Sequence, residues 1–278
     1  MAKKVKIEQQ ISKFINAIHG DYPFEIRIMS KDKYNTMRSI LFTKDSIYIN
    51  NQSKKKTKIA EHTASNLGEV LELEYFYSQG GEVFLTVNSP NIELMDSCFT
   101  SDEHIINGGI INSHFIDIDA PKEIKENELN LKIWKKQVKD KLLAFSLRPS
   151  MVVDTKNGYH VYWLLENGNH QLFRQVQMQL IHYFDGDKKC INESRILRLP
   201  GFQHRKDPKH PYPVTLKIFE PDSRYSQEQL MNALPKLEEE TMNKILSSTI
   251  KSEPILMFWH TTMRTNFTAI LLSIINFL

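Results

Sequence analysis

The sequence has few cysteines and no long hydrophobic run. Its 278 residues include two cysteines, Cys98 and Cys190, which lie far apart and lack the paired spacing of a zinc module. We therefore expect no disulfide framework, and a reducing cytoplasm is the predicted location. The N-terminus has no apolar run after its first lysines, which argues against a secretory signal. No stretch of about 18 apolar residues is present to span a bilayer, so no membrane partner is expected.

The charge shows no strong excess of one sign. There are 36 Lys and Arg residues against 33 Asp and Glu residues, which gives a formal net charge of +3. This balance permits nucleic-acid binding without requiring it. The densest basic cluster, residues 54–58, contains four lysines. Such a cluster is either a solvated loop or a set of phosphate contacts, and both interpretations stay open.

The pattern of apolar residues predicts a mixed α/β chain. Helical spacing predicts helices over residues 7–18, 59–77 and 169–184, the first of them ending at Gly20. Runs rich in β-branched residues predict strands, and polar, glycine-containing stretches such as residues 101–109 predict loops. The predicted strands are residues 24–29, 39–43, 46–50, 83–87, 110–119, 151–153, 159–165, 195–199 and 214–219.

The strand over residues 110–119 carries the most informative motif. Side chains two apart on a strand share a face, so Asp117 and Asp119 project together while Ile116 and Ile118 point towards a core. Two neighbouring carboxylates repel unless a cation lies between them, and hard divalent cations prefer oxygen ligands. The pair therefore indicates a metal site or, alternatively, a solvated strand end before Ala120.

Two further clusters share this chemical theme. A predicted hairpin turn at residues 154–158 is followed at once by His160, and a basic segment runs from Asp187 to Lys206. Taken singly, each residue has an ordinary structural explanation, such as a buried histidine or a surface ion pair. Together, acids able to hold a metal and cations able to hold phosphate suit phosphoryl or nucleotidyl transfer.

The order of these motifs resembles a known family. Residues 115–119 (Phe-Ile-Asp-Ile-Asp), the Asn-Gly-Tyr-His turn within residues 152–163, and the Arg-Leu-Pro-Gly run within residues 195–208 resemble the archaeo-eukaryotic primase superfamily. The likeness is greatest to primase-polymerase domains of bacterial plasmid and phage replication proteins, and it covers about residues 20–220. It implies an α/β (α+β) fold with a catalytic sheet like that of the RNA-recognition motif and an additional N-terminal α/β unit.

The resemblance also assigns roles to individual residues. It implies that Asp117, Asp119 and Asp187 are catalytic metal ligands, with Asp185 and Glu193 as rivals for the third position. The residues that it implies for nucleotide binding are His160, Arg195, Arg198 and Lys206. Two positions depart from the family pattern: Asn192 stands where relatives often carry an acid, and His204 where Asn is common.

The activity implied by the resemblance is template-directed nucleotidyl transfer. The enzyme would be a DNA primase, a DNA polymerase or both, would use Mg²⁺ or Mn²⁺ in a two-metal mechanism, and would act in replication of a plasmid, phage or other mobile element. Its partners would be single-stranded DNA and nucleoside triphosphates. No P-loop motif occurs, so a replicative helicase would be encoded separately or lost by truncation.

Two alternatives remain open at this point. A metal-dependent nuclease or rolling-circle replication initiator would use a His-hydrophobe-His motif and a nucleophilic tyrosine, and no such histidine pair occurs. A catalytically inactive single-stranded-DNA-binding protein would have no need of Asp117, Asp119 and His160.

The expected division of the chain has four parts. Residues 1–20 form an N-terminal helix, and residues 21–222 form the primase-polymerase catalytic domain. Residues 223–250 form a helical extension. Residues 251–278 form an apolar tail, which is either a docked C-terminal helix or, in a truncated or frameshifted product, a segment not native to the fold.

Overall fold

The structure is a computed structural model that describes residues 2–30, 37–52, 58–64, 81–207 and 209–238. The chain divides into two compact units, Met1–Lys236 and Leu237–Leu278, and nearly all of the second lies outside the described residues. The apolar tail therefore cannot be compared with its prediction, and neither can Lys54, Lys55 and Lys56 of the basic cluster. Among the described helices, none has the length and apolar content needed to cross a membrane.

The described elements alternate between strands and helices. The helices are α1 (Ala2–His19), α2 (Asp102–Ile106), α3 (Lys122–Lys125), α4 (Glu128–Ala144), α5 (His170–Phe184) and α6 (Gln227–Ala233), with a 3-10 turn at Ile92–Leu94. The strands are β1 (Phe24–Ser30), β2 (Met37–Phe42), β3 (Ile47–Gln52), β4 (Lys58–Ala64), β5 (Gly81–Thr86), β6 (Ile111–Asp119), β7 (Met151–Asp154), β8 (Gly158–Gly168), β9 (Ile196–Arg198), β10 (Gln203–His204), β11 (Tyr212–Pro213), β12 (Thr215–Phe219) and β13 (Arg224–Tyr225).

The first sheet has six antiparallel strands in the order β4-β3-β2-β1-β5-β9. It joins the N-terminal strands to β9, which comes from the basic segment late in the chain. The sheet also corrects one prediction. Residues 58–64, where a helix was expected to begin, pair with β3 as a strand, because backbone pairing at the edge of a sheet outweighs weak helical spacing. The rest of that predicted helix lies outside the described residues.

The second sheet is built around β8, the longest strand. Strand β6 pairs antiparallel with β8 along one edge, and β7 and the short β13 pair with its other edge. Strand β12 extends the sheet beyond β7. The predicted strand over residues 110–119 and the predicted hairpin after residue 151 are both confirmed.

Helix α5 covers the second sheet, as its four-residue apolar period predicted. Its buried Phe173 stacks on His114 of β6, with ring centroids 5.0 Å apart. The amide nitrogen of Gln177 donates hydrogen bonds to the backbone carbonyls of Phe115 and Cys190, which ties α5 to β6 and to the turn that follows the helix. The helix ends at Asp185, which has a left-handed φ of 56°.

Two further helices concern the predictions for residues 1–20 and residues 101–109. Helix α1 confirms the predicted N-terminal helix and buries Ile11, Phe14 and Ile18. Residues 101–109 were expected to be a loop, yet they contain α2. Its start is stabilised locally, because the backbone N–H of Ser101 donates to Nδ1 of His104 at 3.1 Å.

Candidate active site

The pairing of β6 with β8 brings together the acidic motif and the hairpin. In this register Asp117 lies opposite His160 and Asp119 lies opposite Gly158. Ile116 and Ile118, which alternate with the two aspartates along β6, are fully buried, as the strand alternation predicted. A Cβ atom on Gly158 would lie 1.7 Å from the carbonyl oxygen of Ile118, so only glycine allows this close pairing beside the acids.

Asp117 is the most strongly perturbed acid of the site. Its Oδ1 is buried and has no hydrogen-bond partner among the described residues, and Nε2 of His160 lies 3.8 Å away. Burial raises the pKa of Asp117 to about 7, and the charges of Asp119 and Asp187 add to this rise. The Arg198 and Arg195 guanidinium groups act in the opposite direction. Like charges from separate parts of the chain therefore converge on one carboxylate.

Asp187 is brought next to Asp117 by the turn that follows α5. The backbone N–H of Asp187 donates to the carbonyl oxygen of Asp117 at 2.8 Å. Ligand atoms of Asp117, Asp187 and Cys190 all lie within 4.8 Å of one another. The rival Glu193 is buried and accepts a hydrogen bond from Nε of Arg174 at 3.1 Å, while Asp185 caps the helix. Of the three candidates for the third carboxylate, the structure places Asp187 in this cluster.

Asp119 occupies a more exposed position at the end of β6. Its Oδ2 accepts a hydrogen bond from Nζ of Lys125 at 3.2 Å. Its charge still raises the pKa of Asp117, which indicates that the two carboxylates face the same region. Asp119 is thus next to the cluster of Asp117, Asp187 and Cys190 without being one of its three members.

His160 is a buried and neutral imidazole. Its pKa is lowered to about 3, chiefly by burial and also by the neighbouring Arg198 and His204, while a contact with the backbone of Arg198 acts in the opposite direction. Its Nδ1 has no hydrogen-bond partner within the described residues. A buried ring nitrogen without a partner is available for a ligand, and such groups are uncommon in folded proteins.

The predicted basic residues fall into two groups. Arg195 and Arg198 lie close enough to Asp117 to oppose the rise in its pKa, and Nε of Arg195 is buried with no hydrogen-bond partner in the described ranges. Arg198 is held by Glu82, whose Oε1 accepts hydrogen bonds from its Nε and Nη2 at 3.0 and 2.8 Å. Lys206 is exposed between β10 and β11.

Sequence reasoning missed two residues of this region. Cys190 was weighed only as a disulfide or zinc-module residue, although it lies three positions after Asp187 in a short turn. Burial raises the pKa of its thiol to about 12, and the nearby Arg195 opposes that rise. Glu82 carried no motif signal, because its contact with Arg198 depends on the pairing of β5 with β9.

The donor set fits a hard divalent cation. It offers carboxylate oxygens from Asp117 and Asp187, with Asp119 beside them, and Oδ1 of Asp117 is buried without a hydrogen bond to any described residue. Mg²⁺ and Mn²⁺ prefer such oxygen ligands, and a cation there would offset the mutual repulsion of the acids.

Comparisons with solved structures identify proteins of similar fold. The cyanophage S-2L primase-polymerase AEP domain superimposes with a TM-score of 0.51 at 16% identity, over 82% of this chain and 97% of that one. Two other solved structures are primase RepB′ (TM-score 0.47, 16% identity, 95% of this chain and 68% of that one) and its catalytic domain in complex with initiator DNA (TM-score 0.45, 17%, 89% and 99%). No curated protein matches the chain.

A family model settles the assignment. The model described as the RepB DNA-primase N-terminal domain matches residues 89–242, which is more than half of the chain and includes β6, β8 and β9. The chain therefore belongs to the RepB DNA-primase N-terminal domain family.

Proposed function

We propose that this chain is a template-directed nucleotidyltransferase that makes primers, extends DNA strands, or does both. The observation that supports this most directly is the convergence of Asp117, Asp187 and His160, which come from three separate segments of the chain. Their arrangement beside Arg195 and Arg198 combines a site for cations with a site for phosphates. Family membership supports the same activity.

Asp117, Asp119 and Asp187 are the residues that would hold Mg²⁺ or Mn²⁺, with two ions in the expected mechanism. Bound there, the ions would lower the pKa of the attacking 3′-hydroxyl and neutralise charge on the phosphate oxygens. The protein contributes position: the backbone hydrogen bond from Asp187 to Asp117 fixes the distance between acids that come from different elements.

His160, Arg195, Arg198 and Lys206 are the residues that we propose for binding the triphosphate. A neutral imidazole donates through one nitrogen, and the two guanidinium groups donate in planar pairs that match phosphate oxygens. His160 needs no proton from solvent for this role, because burial keeps it neutral. The arginines would also stabilise the negative charge that accumulates on the leaving pyrophosphate.

The remaining partners follow from the same assignment. We propose that single-stranded DNA is held through its sugar-phosphate backbone without sequence readout. We also propose that the protein acts in the cytoplasm, in replication of a plasmid, phage or other mobile element. A replicative helicase would then be a separate partner or a part absent from this chain.

The test is nucleotide incorporation on a single-stranded template, with and without an annealed primer, in Mg²⁺ or Mn²⁺. We expect the wild type to make or extend strands. Asp117→Ala and Asp119→Ala should abolish incorporation, while circular dichroism shows an intact fold. The matched control is Asp140→Ala, which removes an exposed acid of α4 that pairs only with Lys136 among the described contacts.

Three results would count against the proposal. Equal incorporation by wild type and Asp117→Ala would show that the acids are not catalytic. Cleavage of the template without incorporation would favour the nuclease alternative. Tight binding of single-stranded DNA with no reaction in either metal would favour an inactive binding protein.

A further inference from the structure

The acidic cluster contains a thiol that a Mg²⁺ site does not need. Cys190 is buried, with 2% of its surface exposed, and its sulfur lies within 4.8 Å of ligand oxygens of both Asp117 and Asp187. Hard cations such as Mg²⁺ gain little from sulfur, whereas thiolates select Zn²⁺ and similar soft or borderline ions. The cluster therefore offers two kinds of ligand to competing metals.

The backbone holds this thiol in place. The N–H of Cys190 donates to the carbonyl of Asp187 at 2.9 Å, and the carbonyl of Cys190 accepts from Nε2 of Gln177 at 2.7 Å. The N–H of Asp187 in turn donates to Asp117. The backbones of the three ligand residues are thus held relative to one another by two backbone hydrogen bonds and by the side chain of the buried Gln177.

A second observation points to a ligand at this position. Oδ1 of Asp117 is buried and has no hydrogen-bond partner in the part of the chain that the structure describes, although buried carboxylate oxygens are normally satisfied. An unpaired oxygen of this kind, next to a thiol and a second carboxylate, is the arrangement that a cation would complete.

We infer that Asp117, Asp187 and Cys190 form a binding site for a thiophilic divalent cation such as Zn²⁺, which excludes Mg²⁺ or Mn²⁺ from the same carboxylates. As the metal–sulfur bond forms, the thiol proton passes to solvent and the thiolate becomes the third ligand. The inference that a cation binds depends only on the geometry of these three residues. Its consequence, inhibition of nucleotide incorporation by Zn²⁺, rests on the proposed function.

The binding test uses Cd²⁺, because a cadmium–thiolate bond gives an ultraviolet charge-transfer absorption band. The full-length protein is titrated with Cd²⁺ without competing thiols. Cys190→Ser keeps the size and a hydroxyl donor, and Cys98→Ser is the matched control, since Cys98 is also buried. We expect the band in the wild type and in Cys98→Ser, and its loss in Cys190→Ser.

Two further measurements link the thiol to the acids. Asp187→Asn keeps both cysteines and should weaken Cd²⁺ binding by about tenfold, the loss expected for one ligand. Excess Mn²⁺ should also suppress the band. A band that survives in Cys190→Ser, or one that neither Asp187→Asn nor Mn²⁺ affects, would overturn the site. Circular dichroism of each variant separates loss of ligands from loss of fold.

Inhibition of nucleotide incorporation by Zn²⁺ is the measurement that separates this inference from the proposed function. Zn²⁺ should inhibit incorporation by the wild type and Cys98→Ser at concentrations about tenfold lower than for Cys190→Ser. Incorporation in Mg²⁺ without a cadmium band would refute the thiol site and leave the polymerase proposal standing. The expected cadmium pattern in a protein that incorporates no nucleotide would refute the polymerase proposal and leave the site standing.

Discussion

Glu82 and Arg198 form a partly buried ion pair that links strand β5 to strand β9 beside the candidate site. Oε1 of Glu82 accepts from Nε and Nη2 of Arg198 at 3.0 and 2.8 Å, and both side chains are less than one-fifth exposed. The guanidinium carbon also lies 5.4 Å from the centroid of the Phe84 ring. These contacts come from β5 and direct a residue of β9 towards Asp117, so Glu82 is a positioning residue for Arg198.

The first prediction concerns this ion pair. Glu82→Gln keeps the shape and removes the charge that fixes Arg198, so we expect the KM for nucleoside triphosphates to rise about tenfold, equivalent to about 1.4 kcal/mol. The kcat should change much less, because the carboxylate does not contact the reacting atoms. Steady-state incorporation kinetics separate the two constants. Glu93→Gln, an exposed acid of the 3-10 turn, is the control, and an unchanged KM in Glu82→Gln would contradict the positioning role.

The second prediction concerns His160. Its Nδ1 is buried and unpartnered, and its pKa is lowered to about 3, chiefly by burial. His160→Asn should raise the KM for nucleotide by at least about tenfold, because one phosphate donor is lost. Since the ring stays neutral above pH 5, His160 should add nothing to the pH dependence of the KM between pH 6 and pH 7, where an unperturbed histidine would ionise and where Asp117, with a pKa of about 7, can contribute. The profile over this range should therefore have the same shape in the wild type and in His160→Asn.

The control for His160 is His182→Asn, which removes an exposed imidazole from α5. Its kinetics should match those of the wild type across the pH range. A wild-type KM that changes tenfold between pH 6 and pH 7, with the change abolished by His160→Asn, would show instead that His160 binds phosphate as a cation.

Local patterns predicted the strand and the helix beside the candidate site, whereas the roles of Asp187, His160 and the arginines came from the family resemblance and stay predictions. The alternation in residues 110–119 predicted which side chains of β6 face the site, and the four-residue period predicted α5. Local patterns could not predict pairing between segments that are distant in sequence. Strand β4 forms because it pairs with the edge of β3, and Glu82 contacts Arg198 because β9 joins the first sheet. The position of Cys190 next to Asp117 likewise depends on the turn after α5.

The third prediction concerns stability in acid. His114 is buried, and its Nε2 accepts from Nε2 of Gln227 at 2.9 Å, which favours the neutral ring. Its Nδ1 lies 2.9 Å from Oε1 of Gln177, a contact that favours the charged ring but is outweighed by burial. Burial lowers its pKa to about 4, against 6.5 for an ordinary histidine. Below pH 6.5 His114 binds a proton in the unfolded chain but stays neutral in the folded chain. The free energy of unfolding therefore falls as the pH falls from 6.5 towards 4.

The expected size is about 1.4 kcal/mol per pH unit for this one imidazole. His114→Gln should be less stable at pH 7.5, because the stacking on Phe173 is lost, yet its unfolding free energy should depend less steeply on pH between 6 and 4.5. Urea unfolding at several pH values measures both effects. The exposed His170→Gln should keep the wild-type slope, and an unchanged slope in His114→Gln would contradict the assignment.

The fourth prediction concerns Gly158, where the hairpin meets the acidic strand. A Cβ atom there would lie 1.7 Å from the carbonyl oxygen of Ile118 and 3.1 Å from Cα of Asp119, so the backbones of β6 and β8 must separate. We expect Gly158→Ala to lower the free energy of unfolding by about 3 kcal/mol and to abolish incorporation, because Asp117 and Asp119 are displaced.

Gly186→Ala is the matched control near the same strand, since its new Cβ would approach Ile116 and Asp117 no closer than 3.4 Å. Thermal unfolding and incorporation assays on both variants test this. Wild-type stability in Gly158→Ala would mean that the two strands are not paired as closely as the structure has them.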